Sequence, residues 1–195
     1  MINHRMKHPV PLITGLVLLL AMFLPSGSYG ADLTITHAPT QVYFSPGPDS
    51  TGAILKEIAR ARSEILLQAQ SVDSTSIAKT LVDAHNRGVK VEIILGKNRK
   101  NDSCGSAAFF SGLKIPVYID RKHAVGHSTI IIIDRTTVTA GSFNLGETAA
   151  EKTADSLAIT KSKDLAKLYF DNWSKHREHA EIYKNKTKAT PKGKS

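Results

Sequence analysis

Along the chain the apolar positions move between two rhythms, every second residue and every third to fourth, and each change of rhythm marks a new element. Gln41-Val42-Tyr43-Phe44 reads as a short strand, closed by the turn chemistry of Ser45-Pro46-Gly47-Pro48-Asp49. Ile54, Leu55, Ile58 and Ala61 then recur at helical spacing, with Ser50 or Thr51 available as cap. Ser63 to Gln70 returns to a strand. Asp73 or Ser74 caps a second helix with Ile77, Leu81, Val82 and Ala84 on its inner face, and Gly88 stands where a left-handed residue ends it. Val89 to Leu95 follows as a strand, and Ile115 to Ile119 is another. Thr129 to Ile133, almost all isoleucine, predicts a buried strand, with Thr136 to Ala140 as its hairpin partner across Asp134-Arg135. Leu157 to Ile159 offers one more strand. A long amphipathic helix from about Asp164 to Tyr183 follows, with Leu165, Leu168, Tyr169 and Trp173 on one side.

The strand, helix, strand succession from Ser63 to Leu95 describes a right-handed crossover between parallel strands. With the hairpin it sets the expected fold class: α/β, a mixed β-sheet flanked by helices. Gly96 to Lys100 would lie at the carboxyl end of a strand, where open α/β sheets place their ligands. Asn101, Asp102, Ser103 and Gly105 read as a loop around the single cysteine, Cys104, so no intramolecular disulfide can form.

Three segments are expected. Residues 1–30 combine His4, Arg5, Lys7 and His8 with the apolar run Leu12 to Leu24 and small residues at Ser28 and Gly30. That is the layout of an export signal cut near Gly30 or Ala31, the alternative being an uncleaved membrane anchor. Residues 31–183 form one domain, and residues 184–195, rich in lysine and almost without apolar residues, form a disordered basic tail. Export places the product in the periplasm or outside the cell, with no stable membrane association after cleavage.

The chain carries 26 basic and 17 acidic side chains, a net charge of +9. Cleavage would remove Arg5 and Lys7 and no acidic residue, so the excess survives. It favours a polyanionic partner, nucleic acid or an anionic lipid surface. There is no phosphate-binding Walker loop, dinucleotide fingerprint or HExxH motif, and no run of cysteine, histidine and carboxylate ligands, which argues against a zinc site.

The candidate chemistry lies in HSTIIIID, His127 to Asp134, and in GSFN, Gly141 to Asn144. Alternate side chains of a strand share a face, so His127 and Thr129 project together, and Ser142 and Asn144 share a face by the same period. If the strands pair, four hydrogen-bonding side chains could converge on one patch, while Asp134 at the turn would fix backbone geometry.

H-x-K-x4-D followed after six residues by G-S-x-N is the signature of the phospholipase D superfamily. Here it stands as His127, Thr129, Asp134, Gly141, Ser142 and Asn144. Phe44-Ser45-Pro46, IARARSEILLQAQS and IAKTLVDAHNRGVKVEIIL extend the resemblance to exported, single-motif bacterial endonucleases of the Nuc type, over roughly Tyr43 to Trp173.

The resemblance implies a phospholipase D/nuclease-like fold and a phosphodiesterase without metal or cofactor. In such enzymes the motif histidine, here His127, attacks phosphorus to give a phosphohistidine that water hydrolyses. One motif supplies one histidine, so the resemblance also implies a homodimer in which the partner's copy acts as general acid. Thr129, Ser142 and Asn144 occupy the phosphate-holding positions, and Asp155 matches the carboxylate, usually glutamate, that orients the histidine. His123 could contact phosphate, or with Lys122 form a basic surface loop.

Threonine in place of the motif lysine removes a positive charge from the anion that must be stabilised. Losing one preorganised donor of this kind costs on the order of a hundred- to a thousandfold in rate. The expected function is therefore an exported, nonspecific nuclease-type phosphodiesterase impaired at Thr129, unless Lys122 or another cation replaces the charge. The alternatives are a catalytically impaired nucleic-acid-binding relative and a phospholipid phosphodiesterase.

Overall fold

In the computed structural model, residues 30–47, 49–97, 105–123 and 128–184 are described. The expected export signal, Cys104, His127 and nearly all of the basic tail lie outside them. The elements all fall within the unit Leu33–Ser195. In chain order they are β1 (Thr40–Phe44), α1 (Asp49–Arg60), β2 (Glu64–Ala69), α2 (Thr75–Asn86), β3 (Lys90–Gly96), α3 (Gly105–Gly112) and β4 (Val117–Asp120). Then come β5 (Thr129–Ile133), β6 (Thr137–Gly141), α4 (Ala149–Lys152), β7 (Ser156–Lys161), α5 (Lys163–His179) and β8 (Glu181–Ile182).

The eight strands form one sheet in the order β1-β7-β6-β5-β2-β3-β4-β8. β2, β3 and β4 run parallel, joined through α2 and α3, and every other neighbouring pair is antiparallel. This is the mixed sheet flanked by helices that the periodicity predicts. β5 is buried on both faces, which is why it reads as an unbroken isoleucine run.

One face carries Ile65, Leu67, Val91, Ile93, Leu95, Ile131 and Ile133 under Ile54 and Ile58 of α1, Ile77 and Leu81 of α2 and Phe110 of α3. The other carries Leu66, Ile94, Tyr118, Ile130 and Ile132 under Ala166 and Trp173 of α5. Each fully buried Leu or Ile among them contributes about 1.5–3 kcal/mol.

Local signals place the ends. Ser74 caps α2, its hydroxyl accepting from the Ile77 amide at 3.5 Å, and Gly88 sits at φ +90° just past the helix. α1 starts at Asp49, ahead of both expected caps, and Ser50 is buried inside its first turn. The acidic Asp49 stands where the helix dipole favours it. The β5–β6 turn puts Asp134 and Arg135 at φ +50° and +54°, the left-handed geometry whose twist matches that of the flanking strands.

Two expectations change. Gly105 opens α3 instead of lying in a loop. The last helix stops at His179, not Tyr183, because Glu181 and Ile182 pair with the open edge of β4, and Arg121 donates from Nε to Glu181 Oε2 at 2.9 Å.

Candidate active site

The hairpin register determines which motif positions meet. Thr129 pairs with Gly141, so the leading end of β5, two residues after His127, lies beside the trailing end of β6, directly before Ser142. Thr129 is only 3 % exposed and shares its face with Ile131 and Ile133. Gly141 is required by crowding: a Cβ there would overlap the carbonyl oxygen of Ser156 on the adjacent β7.

β6 ends at Gly141, and beyond it Ser142 and Asn144 lie on the exposed side while Phe143 and Leu145 are buried, in keeping with the expected two-residue alternation. The Ser142 hydroxyl accepts from the Ser156 amide at 3.1 Å, and Asn144 Oδ1 accepts from the Gly146 amide at 2.9 Å. Both residues are exposed.

The segment that follows is clamped to the start of α2. Leu145 O accepts from the amides of Asp73 and Ser74 at 2.9 and 2.8 Å, and Glu147 Oε2 accepts from the Thr75 amide at 2.7 Å. Asp155 is half-buried and held through its backbone: the Ser45 amide donates to Asp155 O at 3.0 Å, and the Asp155 amide donates to Ser45 Oγ at 3.1 Å. The Phe44-Ser45-Pro46 stretch therefore holds the backbone of this residue through Ser45. Among the described residues no hydrogen bond joins the side chains of Thr129, Ser142, Asn144 and Asp155.

Asp134 is taken up by backbone groups. Its carboxylate accepts from the amides of Arg62, Ser63 and Glu64 and from the Ser63 hydroxyl, at 2.8 to 3.0 Å by the shortest contact of each. It thereby ties the β5–β6 turn to the loop that enters β2.

A cavity of about 320 Å³ opens at the carboxyl ends of β2, β3 and β4, and Gln68, Gly96, Asp120, His123, Ser128 and His176 are part of its lining. Gly96 was expected at such a position; residues 98–100 lie outside the described residues. Ser128, next to His127, brings the motif segment to the rim.

On one wall, Asp120 Oδ2 is 2.8 Å from His123 Nδ1, 3.1 Å from His176 Nδ1 and 3.4 Å from His179 Nε2. Its Oδ1 accepts from the amides of Lys122 at 3.0 Å and His123 at 3.3 Å. Burial alone would raise the Asp120 pKa, but the hydrogen bonds from His123 and His176 outweigh it and hold the carboxyl far below the ordinary carboxylate range.

The absence of a metal-ligand run in the sequence is thus corrected in space: β4 and the last turn of α5 bring one carboxylate and three imidazoles together. Asp120-x-x-His123 and His176-x-x-His179 were legible as pairs, but only the packing of α5 over β4 joins them. His123, offered earlier as a phosphate contact or a surface residue, is committed to Asp120. The Lys122 side chain is exposed.

Comparison with known proteins agrees with this architecture. The family described as cardiolipin synthase, PLD-like domain, matches residues 54–177, more than half of the chain. A phospholipase D of Rickettsia felis is 34% identical over 130 residues, covering 67% of this chain and 65% of its own length. A phospholipase D of Rickettsia conorii is 30% identical over 139 residues, covering 71% of this chain and 70% of its own. The chain thus spans a little under two thirds of the first relative's length.

Among solved structures, the phospholipase D family member Nuc from Salmonella typhimurium is 27% identical with a TM-score of 0.71, the match covering 76% of this chain and 99% of that one. NucT from Helicobacter pylori shares the fold at 21% identity and a TM-score of 0.66, over 75% of this chain and 99% of its own. The matched family, the hairpin that carries the motif and the shared sheet together make this chain a member of the phospholipase D superfamily, of the Nuc type.

Proposed function

We propose that the chain is an exported phosphodiesterase that cleaves the nucleic-acid backbone without sequence preference, through a phosphohistidine at His127. The observation that carries the reading is the Thr129–Gly141 register, which sets the start of β5 beside the end of β6 and so gathers the two halves of the motif at one end of a rigid hairpin. The reaction follows in two displacements. The imidazole of His127 attacks phosphorus as the ester oxygen leaves with a proton, and water then cleaves the phosphorus–nitrogen bond.

A single motif provides the nucleophile but not the acid, so the reading includes a homodimer whose second His127 protonates the leaving oxygen. Ser142 and Asn144 are its phosphate donors and Asp155 its orienting carboxylate. The net charge of +9 supports a polyanionic substrate. The signal-like segment 1–30 supports periplasmic or secreted location, which N-terminal sequencing of the cell-envelope and culture fractions checks.

A second reading, a nucleic-acid-binding relative with impaired catalysis, is favoured by Thr129 itself, which is neutral and nearly inaccessible where the motif calls for lysine. The test is hydrolysis of plasmid DNA, RNA and phosphatidylcholine in buffer without added divalent cations, comparing the chain with Thr129→Lys and His127→Ala. We expect slow nicking of nucleic acid, a gain on the order of a hundred- to a thousandfold for Thr129→Lys, and none for His127→Ala. Equal rates for the chain and Thr129→Lys would remove the impairment. Turnover confined to phosphatidylcholine would replace the substrate class.

A further inference from the structure

We propose that Asp120, His123, His176 and His179 bind a divalent transition-metal ion, zinc foremost, which staples the last turn of α5 to the segment leading into the HST motif. The proposed phosphoryl transfer needs no metal, so the two readings stand or fall separately.

The geometry comes first. One donor atom from each of the four residues lies within 4.8 Å of every other. Four nitrogen and oxygen ligands around a tetrahedral zinc at about 2.0–2.1 Å sit roughly 3.3 Å from one another. The three distances from Asp120 Oδ2, 2.8 to 3.4 Å, already bracket that value. Small rotations of the rings would seat an ion at the centre.

The cluster is also poorly satisfied by its own hydrogen bonds. Asp120 Oδ2 takes contacts from His123 and His176, while the buried Nε2 of His179 has no hydrogen-bond partner among the described residues. Ring centroids stand 4.9, 5.3 and 5.5 Å apart. Three protonated rings at that spacing would repel, and three neutral ones crowd their nitrogens on a single oxygen. A dication takes up the lone pairs and balances the carboxylate.

The supports are those of a built site. Asp120 is 6 % exposed and spends Oδ1 on two backbone amides, which orients Oδ2 inward. His176 and His179 lie three residues apart on one helix face, at the carboxyl end of α5, where the helix dipole favours a cation. The half-exposed His123 side chain and the adjacent cavity provide entry. Three imidazoles and one carboxylate suit zinc or cobalt, whereas calcium and magnesium want oxygen ligands.

The experiment uses the full chain, free of histidine tags, stripped with EDTA and dialysed. Zinc chloride is titrated by calorimetry, cobalt(II) by visible absorption, and melting is followed with and without zinc. We expect one ion per chain with micromolar or tighter affinity, a rise in Tm with zinc, and the visible absorption of four-coordinate cobalt.

Asp120→Asn and His179→Ala should each weaken zinc at least about tenfold, while His37→Ala and His85→Ala leave it unchanged. Circular dichroism checks that the variants fold. If His179→Ala does not, His123→Gln, on the exposed side, reads the affinity in its place. No uptake at tens of micromolar zinc, or full stoichiometry retained in a His176→Ala/His179→Ala double variant or in folded His123→Gln, overturns the proposal.

Discussion

Gly141 and Asp134 belong to the motif for reasons of packing, and each makes a separate prediction at the level of the single residue. A methyl group at Gly141 meets backbone on β7, which cannot step aside as a flexible side chain would. Gly141→Ala is therefore expected to cost about 2–3 kcal/mol, seen as a lower urea midpoint with unchanged slope. Asp134→Ala leaves three amides and a hydroxyl without their acceptor and puts alanine at positive φ. The expected loss is about 2–3 kcal/mol, while Asp134→Asn, which tolerates that backbone and retains an acceptor, should lose less. Asp134 could be read from the sequence as a turn residue with a backbone task. The bond that the Ser156 amide gives Ser142 could not, because it follows from β7 lying beside β6 and joins residues that strand periodicity does not connect.

Helix α5 shows what an element's pattern reveals and what it hides. Its apolar side was readable, and Trp173, 4 % exposed, lies on the sheet with Nε1 donating to Leu67 O at 3.2 Å. Trp173→Ala should cost about 3–5 kcal/mol and Trp173→Phe about 1 kcal/mol, measured by urea unfolding followed by circular dichroism. Trp173 is the only tryptophan, so its emission in the unsubstituted chain should move to the red as α5 leaves the sheet. The helix end was misjudged by a few residues, since competition from the open edge of β4 is invisible to helical periodicity. α3 went unseen for a different reason: GSAAFFSG is apolar around most of its circumference and flanked by glycine, so no period stands out. α4, a single turn, is too short to show one.

At the scale of the whole molecule the excess of basic side chains and the pairing of two motifs are the testable properties. Binding of a DNA duplex, followed by fluorescence anisotropy, should weaken on the order of a thousandfold between 50 and 200 mM salt if about six phosphates are neutralised; affinity indifferent to salt would remove the polyanion reading. Sedimentation of the full chain should give twice the mass of one subunit, and a monomer at all concentrations would remove the shared site. The amino-acid sequence by itself determined the α/β class, the crossover, the hairpin and the superfamily, because each is written in contiguous residues as periodicity, turn chemistry or motif spacing. The tertiary structure alone decided that a buried Thr129 pairs with Gly141 at the end of the hairpin, that Ser45 holds Asp155, and that Asp120 and His123 meet His176 and His179. Those contacts join residues far apart along the chain, and they exist only once strand order and the seating of α5 on the sheet have brought them within a few ångströms.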